Sequence, residues 1–386
     1  MRRENPFSPS FPVNPRYFVN REEVVDSFKK AFDRSTKTEF PTPDNIAILG
    51  DWGIGKTSVL RKFESIAIEE FRERKAFSTI AELIPTACNS FASFTAKVID
   101  DVDRNFNVQA SILTRIRSEI RNWRIKSVGI GGVELERAKV KSDAAAFKDA
   151  LIDLWKILEK SGIDTALLML DDLHYLSERY PDGLYDLRGV FQGLPRHGCN
   201  FILCTTGKRE LFSEIRELAE PLGRFFNIKH ALKPFDLGET AKAIRKPIRL
   251  SGLNLTLEDG VISRIHELTA GHPFFIHFIM RELVSLKEEG TIDLRYFDEN
   301  YPSIERIMER EKFEVDFSIA SEKERRILLE MAGLPERFAP SDIKIKNART
   351  QLRFLLKKNL IIRHDRGEYS LYHPLFKGFL GGFKVT

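Results

Sequence analysis

Gly50-Asp-Trp-Gly-Ile-Gly-Lys-Thr57 is the stretch on which the reading of this chain turns. It satisfies the phosphate-loop spacing G-x-x-x-x-G-K-[ST] at every fixed position. Its flanks suit that reading. Ile46-Ala-Ile-Leu49 is a short apolar run bounded by Pro43 and Gly50, as expected of a buried parallel strand. Downstream, Leu60, Phe63, Ile66, Ala67 and Phe71 recur at helical spacing between charged residues. A strand, a glycine loop and a helix N-terminus together aim backbone N–H groups and the positive end of the helix dipole at an anion. Gly50, Gly53, Ile54, Gly55, Lys56, Thr57 and Ser58 are therefore the candidate contacts of a nucleoside triphosphate. Lys56 is placed to reach the β- and γ-phosphates, and the Thr57 hydroxyl to ligate Mg²⁺.

Working outward, 386 residues exceed one ordinary core, so two or three domains are expected. A 42% apolar and 30% charged composition describes a globular protein. No apolar run reaches the length of a membrane span, and the polar, proline-punctuated start does not resemble a signal peptide. Cys88, Cys199 and Cys204 have no disulfide-framework spacing, so a reducing cytoplasm is the expected location. From Arg310 to Thr386 there are 16 Lys/Arg against 10 Asp/Glu, a difference of +6 that accounts for the whole net charge of +5. A second basic group, Arg115, Arg117, Arg121, Arg124 and Lys126, lies mid-chain. Both suit a polyanion, or merely solvated helix faces.

Periodicity predicts a helix over residues 21–40 and strands at Phe77–Leu83, Ala166–Leu170 and Phe201–Thr205. Residues 92–126 and 147–160 read as helices, and Ser127–Glu136 alternates like a hairpin or strand. Apolar strands alternating with amphipathic helices predict an α/β fold with a parallel sheet. Beyond Pro234 strands fade, leaving helices near Leu237–Leu250, Leu257–Thr269 and Pro273–Lys287. The expected division is 1–233 for the phosphate-loop domain, 234–305 for a helical lid and 306–386 for a terminal domain.

The Ala166–Asp172 run supplies what a phosphate loop needs next, an apolar strand ending in two carboxylates. Asp171 is the expected Mg²⁺ holder, and Asp172 stands at the water-polarising position. An aspartate there is one methylene shorter than the usual glutamate, which leaves slow hydrolysis and inactivity both open. Thr205 and Thr206 end the next apolar strand, where a hydroxyl can sense the γ-phosphate or simply bond locally. Arg224, ahead of the strand-like Phe225–Ile228, is a candidate for stabilising transition-state charge. Lys56, Asp172, Thr205 and Arg224 are thus the catalytic candidates.

In this order the motifs resemble the AAA+/STAND side of the P-loop ATPases, and most the archaeal-type ATPases related to origin-recognition initiators. Phe18-Val-Asn-Arg21-Glu22 resembles the group's h-h-G-R-x-x-E motif beside adenine, with Asn20 in the place of the glycine and Glu23 as a register-shifted acid. Pro221-Leu-Gly-Arg224 with Leu232-Lys-Pro-Phe235 is similar to its Gly-Arg signature. Gly271-His-Pro273 resembles the G-x-P motif of STAND lids, in which the proline covers the base. The resemblance implies ATP and ADP as ligands, Mg²⁺ as cofactor, and a winged helix at the C-terminus.

Residues 321–371 fit that last expectation, reading as three helices and a hairpin around the Asp365-Arg-Gly367 turn. Arg349, Arg353 and Lys357 recur every four residues, away from Leu352, Leu355 and Leu356, as a duplex-facing stripe would. Arg363 and Arg366 on the wing are further phosphate candidates. The leading expectation is an ATP-gated switch whose winged helix controls contact with DNA, a protein partner or further copies of the chain. The alternative is a DNA-binding ATPase of the AAA+ type acting in replication, transposition or defence. His197, Cys199 and Cys204 lack a fourth neighbour and read as incidental thiols rather than a metal site.

Overall fold

The computed structural model describes residues 4–35, 42–70, 75–109, 112–129, 142–212, 216–364 and 367–383. It divides into two compact units with separate apolar cores. The sheet unit comprises Asn14–Asp51 and Gly55–Lys233; the helical unit comprises Met1–Val13, Trp52–Ile54 and Pro234–Thr386.

In the sheet unit the strands are β1 (Ile46–Leu49), β2 (Ala76–Glu82), β3 (Phe106–Asn107), β4 (Thr165–Asp171), β5 (Phe201–Gly207) and β6 (Ile228–Ala231). They run in the order β3-β2-β4-β5-β1-β6, all pairs parallel except β2 with β3. β1, β4 and β5 are buried along their whole length, which is why they read as continuous apolar runs rather than alternating ones.

Its helices are α1 (Glu22–Ser35), α2 (Lys56–Ser65, continued by a π turn to Glu70), α3 (Phe91–Asn105), α4 (Leu113–Gly129), α5 (Asp143–Lys160), α6 (His174–Arg179), α7 (Gly183–Gly193) and α8 (Arg216–Phe225). Serine caps start two of them: Ser90 accepts from Ser93 N–H before α3, and Ser142 from Ala145 N–H before α5. The single helix expected over 92–126 is interrupted at Phe106–Asn107, where the chain turns into the antiparallel edge pair with β2. The expected hairpin runs past Gly129, outside the described residues. Phe225 ends α8 instead of opening a strand, and β6 begins at Ile228.

The helical unit contains α9 (Leu237–Ser251), α10 (Asp259–Thr269), α11 (Pro273–Leu286), α12 (Leu294–Met308), α13 (Glu314–Ser318), α14 (Glu322–Ala332), α15 (Ala348–Lys357) and α16 (Pro374–Gly381). Reciprocal capping boxes, Asp236 with Glu239 and Ser321 with Glu324, start α9 and α14. Strands do not vanish here. β7 (Leu255–Leu257) pairs in parallel with β8 (Gly290–Ile292), and β9 (Ile361–Arg363) with β10 (Tyr369–Leu371) antiparallel. The second of the three expected terminal helices shrinks to one 3₁₀ turn, Pro340–Asp342. Asp365 and Arg366 of the wing turn lie outside the described residues. No helix among the described residues is long and apolar enough to cross a membrane.

Candidate functional site

The site gathers at the carboxyl ends of three adjacent parallel strands. Register fixes this: Leu49 of β1 pairs with Gly207 of β5, and Leu170 of β4 with Thr205 of β5. Gly50 N–H continues the ladder to Gly207 O at 3.1 Å before the chain turns into the loop. Gly55 caps α2 with φ 96°, left-handed backbone that a side chain would strain. That turn delivers Lys56 and Thr57 to the first turn of α2.

The Lys56 ammonium donates to the carbonyls of Gly50 at 3.1 Å and Asp51 at 2.9 Å. Burial pulls its pKa down, against the opposing pull of Asp172, Asp171 and Asp51. The Thr57 hydroxyl donates to Asp171 Oδ2 at 2.7 Å. Asp171 Oδ1 accepts a second hydroxyl, that of Thr206. Thr206 Oγ1 in turn accepts the Asp172 N–H at 2.8 Å, so one buried hydroxyl braces both carboxylate residues.

Asp172 is half-buried with φ 60°, a left-handed conformation uncommon for a residue with a side chain. Burial, then the Asp171 charge, pushes its carboxyl up to about 6. Next along the chain, His174 opens α6 with its Nδ1 buried and 3.7 Å from Asp172 Oδ1. Lys208 Nζ pairs with Glu178 at 2.8 Å, and Arg209 with Asp51 at 2.8 Å, so cations from the end of β5 flank the loop. Together these groups offer a glycine loop at a helix N-terminus, an ammonium held by two carbonyls, a hydroxyl and two acids.

No family model and no curated protein matches the chain. Solved structures do. A Walker-type ATPase of Pyrococcus abyssi is similar with a TM-score of 0.59 at 17% identity, over 94% of this chain and 96% of that one. The ORC2 protein of Aeropyrum pernix in ADPNP–ADP complexes gives 0.60 at 14% identity, over 98% and 97%. Its ADP form gives 0.57 at 13% identity, over 97% and 96%. The fold is that of the archaeal origin-recognition ATPases.

This origin-recognition-type fold distributes the remaining sequence-predicted residues unevenly. Thr205 leaves the site: its hydroxyl donates to Leu170 O at 2.9 Å and Thr206 O at 3.2 Å, wholly inside the sheet. Adjacent strand residues face opposite sides, so the γ-phosphate candidate at this strand end is Thr206. Arg21 follows Asn20, and both have positive φ, 63° and 61°. Asparagine tolerates that conformation, which is how it stands where the resembling motif has glycine. The Arg21 guanidinium donates to Lys233 O at 2.6 Å. Arg224 is exposed at the end of α8, and Ser58 is half-buried on α2.

In the helical unit Pro273 is the first residue of α11, buried, with His272 as its N-cap. Ile54 is buried and Trp52 is exposed. His272 Nε2 lies 3.1 Å from Trp52 O, the Phe274 ring 4.6 Å from the Trp52 ring, and Lys312 Nζ 3.8 Å above it. Arg349, Arg353 and Lys357 are exposed on α15, opposite buried Leu352 and Leu355, and form no ion pair among the described residues. The mid-chain basic group is different: Arg115 pairs with Glu119, Arg124 with Asp100 and Asp103, and Lys126 with Asp153. Its charge is largely neutralised within the unit. The three thiols are buried and unpaired; burial pushes Cys88 and Cys199 up to about 11 and Cys204 higher still, as for inert core cysteines.

His174 and Lys208 escape the sequence reading, which makes Thr205 rather than Thr206 the catalytic candidate of the two strand-end threonines. For Thr206 a signal existed, a second threonine at the strand end, but only the strand's facing decides between the two. For Lys208 and His174 there was none, since both matter only through neighbours brought in by the fold.

Proposed function

We propose that this chain binds ATP and ADP through the Gly50–Thr57 loop, hydrolyses ATP slowly, and uses its nucleotide state to set a contact made by its C-terminal segment. The observation that carries the reading is the Thr57–Asp171 hydrogen bond of 2.7 Å beside Lys56, because it joins the loop to the acid strand. The ADPNP–ADP complexes of the similar ORC2 protein support a nucleotide as the ligand.

The donor set suits Mg²⁺. The Thr57 hydroxyl and Asp171 carboxylate are hard oxygens, and among the described residues no group of three His, Cys, Asp or Glu forms an all-protein metal cage. Mg²⁺ is usually held by one or two protein oxygens, with water and substrate phosphates completing its shell. Bound there, it would neutralise charge on the β- and γ-phosphates. Lys56 exchanges its two carbonyl partners for phosphate oxygens. Asp172 takes the proton of the attacking water as the bond between the γ-phosphorus and the bridging oxygen of ADP breaks. Thr206 holds both acids in place, and Arg224 is the proposed stabiliser of developing charge.

Within the helical unit, the loop-tip residue Trp52 packs on His272, Phe274 and Lys312. A phosphate that reorders the loop therefore acts on residues of α11 and of the segment ahead of α13, which is the physical basis of the proposed switch. In this reading residues 1–233 form the ATPase domain, 234–305 the lid and 306–386 a winged helix. The test is calorimetry with ATP and Mg²⁺: Lys56→Ala should reduce affinity by at least 100-fold. Unchanged affinity would remove the loop from the binding site.

A second reading, a DNA-binding ATPase, is favoured by the exposed Arg349–Arg353–Lys357 stripe, which forms no ion pair among the described residues. Duplex binding should then weaken in the triple alanine variant, with a log–log salt slope shallower by about 3. Absence of salt-sensitive duplex binding by the unaltered chain rejects this reading and leaves a protein partner.

A further inference from the structure

Asp172 carries a problem that its neighbours define. As an aspartate it is one methylene shorter than a glutamate, so its carboxylate has less freedom to find an attacking water. Its backbone is pinned, φ 60° with N–H on Thr206 Oγ1. Its carboxylate makes no hydrogen bond among the described residues. His174 Nδ1 lies 3.7 Å from its Oδ1, and that ring nitrogen is buried and has no hydrogen-bond partner among the described residues.

An unpartnered buried ring nitrogen costs stability unless something uses it. His174 is held in place by its surroundings. Leu173 N–H donates to Thr206 O at 2.9 Å, and the ring lies 4.2 Å from that of Tyr175. The ring can therefore serve as a fixed post against which a movable carboxylate settles. A shift of about 0.7 Å closes the gap to hydrogen-bond distance.

We propose that His174 is a positioning residue for ATP hydrolysis, its Nδ1–H holding the Asp172 carboxylate in the orientation that receives the water proton. This rests on the hydrolytic reading above. Burial and the nearby Lys208 and Lys56 ammonium groups keep the imidazole neutral, with its pKa down at about 3. The ring therefore orients the acid and does not take the proton onward.

The test measures phosphate release and ATP affinity for the full chain and for His174→Leu, His174→Asn, His174→Gln and Asp172→Asn. Asparagine places an amide nitrogen where Nδ1 stands, glutamine one methylene beyond, and leucine offers none. Leucine and glutamine should lower kcat by roughly 10- to 100-fold, the worth of a hydrogen bond to a charged group, with KM and calorimetric Kd unchanged. Asparagine should keep kcat within about threefold. His174→Leu added to Asp172→Asn should cost nothing more, since the acid it positions is gone.

Full activity in His174→Leu alongside loss in Asp172→Asn overturns the positioning role and leaves the hydrolytic reading standing. An asparagine variant as impaired as leucine, or one with weakened ATP binding, also overturns it, as a packing role would give that. ATP bound without phosphate release by the unaltered chain removes the hydrolytic reading and the proposal together.

Discussion

Replacing Thr206 with valine tests the brace between the two acids with almost no change in shape. The side chain is fully buried, so the methyl that replaces the hydroxyl occupies the same space. Two hydrogen bonds disappear: the one donated to the Asp171 carboxylate and the one accepted from Asp172 N–H at 2.8 Å. A bond to a charged group is worth roughly 1.5–3 kcal/mol net and a neutral one roughly 0.5–1.5, so the expected loss is about 2–4.5 kcal/mol. Thr205→Val is the matched control. It removes a hydroxyl bonded only to the backbone carbonyls of Leu170 and Thr206, a loss of about 1 kcal/mol. Urea unfolding of the sheet unit gives the stabilities. Calorimetry of ATP binding across a Mg²⁺ titration gives the function, and only the Thr206 variant should need more Mg²⁺ for the same affinity. Equal effects of the two valines on stability and on Mg²⁺ dependence would refute the assignment of Thr206 as the bracing residue.

Three shorter predictions follow from single observations. Gly271→Ala should destabilise the helical unit by about 3 kcal/mol or more, since φ is +69° and an added Cβ would stand 1.9 Å from the Phe235 carbonyl oxygen. A melting temperature within about 2 °C of the parent would contradict this. The same unit should lose stability in acid: burial holds His277 and His373 down at about 4, below their unfolded value near 6.5. Between those values the unfolded chain binds more protons, so stability is full above about 6.5 and falls as pH drops toward 4. Urea midpoints across that window should show it, and His277→Leu should flatten the slope. Asp172→Asn should bind ATP normally and release phosphate at least 100-fold more slowly, measured by single-turnover kinetics.

Locality separates what was readable in this chain from what was not. The Gly50–Thr57 loop, β1 and α2 are contiguous, so their chemistry and geometry are written in one stretch, and the Asp171–Asp172 pair is written in another. The sequence order of those stretches already implied their approach, because an apolar strand that ends in acids has few places to go in a parallel sheet. Facing is a different kind of information. β4 and β5 are buried on both sides, so alternation, the usual index of facing, is absent from Ala166–Leu170 and Phe201–Cys204. Thr205 and Thr206 were therefore equivalent on paper, and only the pairing of β5 with both β1 and β4 turns Thr206 toward Asp171. The small pairs β7–β8 and β2–β3 were lost for a related reason: strands of two or three residues carry too little period to register.

His174 is the sharpest instance of this divide. In sequence it is one histidine after a helix-start leucine, and nothing distinguishes it from a core histidine. In the fold, the left-handed turn at Asp172 folds the chain back so that residues two apart face each other at 3.7 Å. The positive φ of Asp172 thus does more than strain one residue. In the proposed mechanism it creates the short-range pair on which an aspartate in a glutamate's position would depend, so the shorter acid and the ring beside it act as two halves of one local solution. If so, restoring the longer acid should make the ring dispensable: Asp172→Glu in the His174→Leu background should recover phosphate release that His174→Leu alone has lost. Failure of the glutamate to rescue, with ATP affinity intact, would show that the ring's role is independent of the acid's reach.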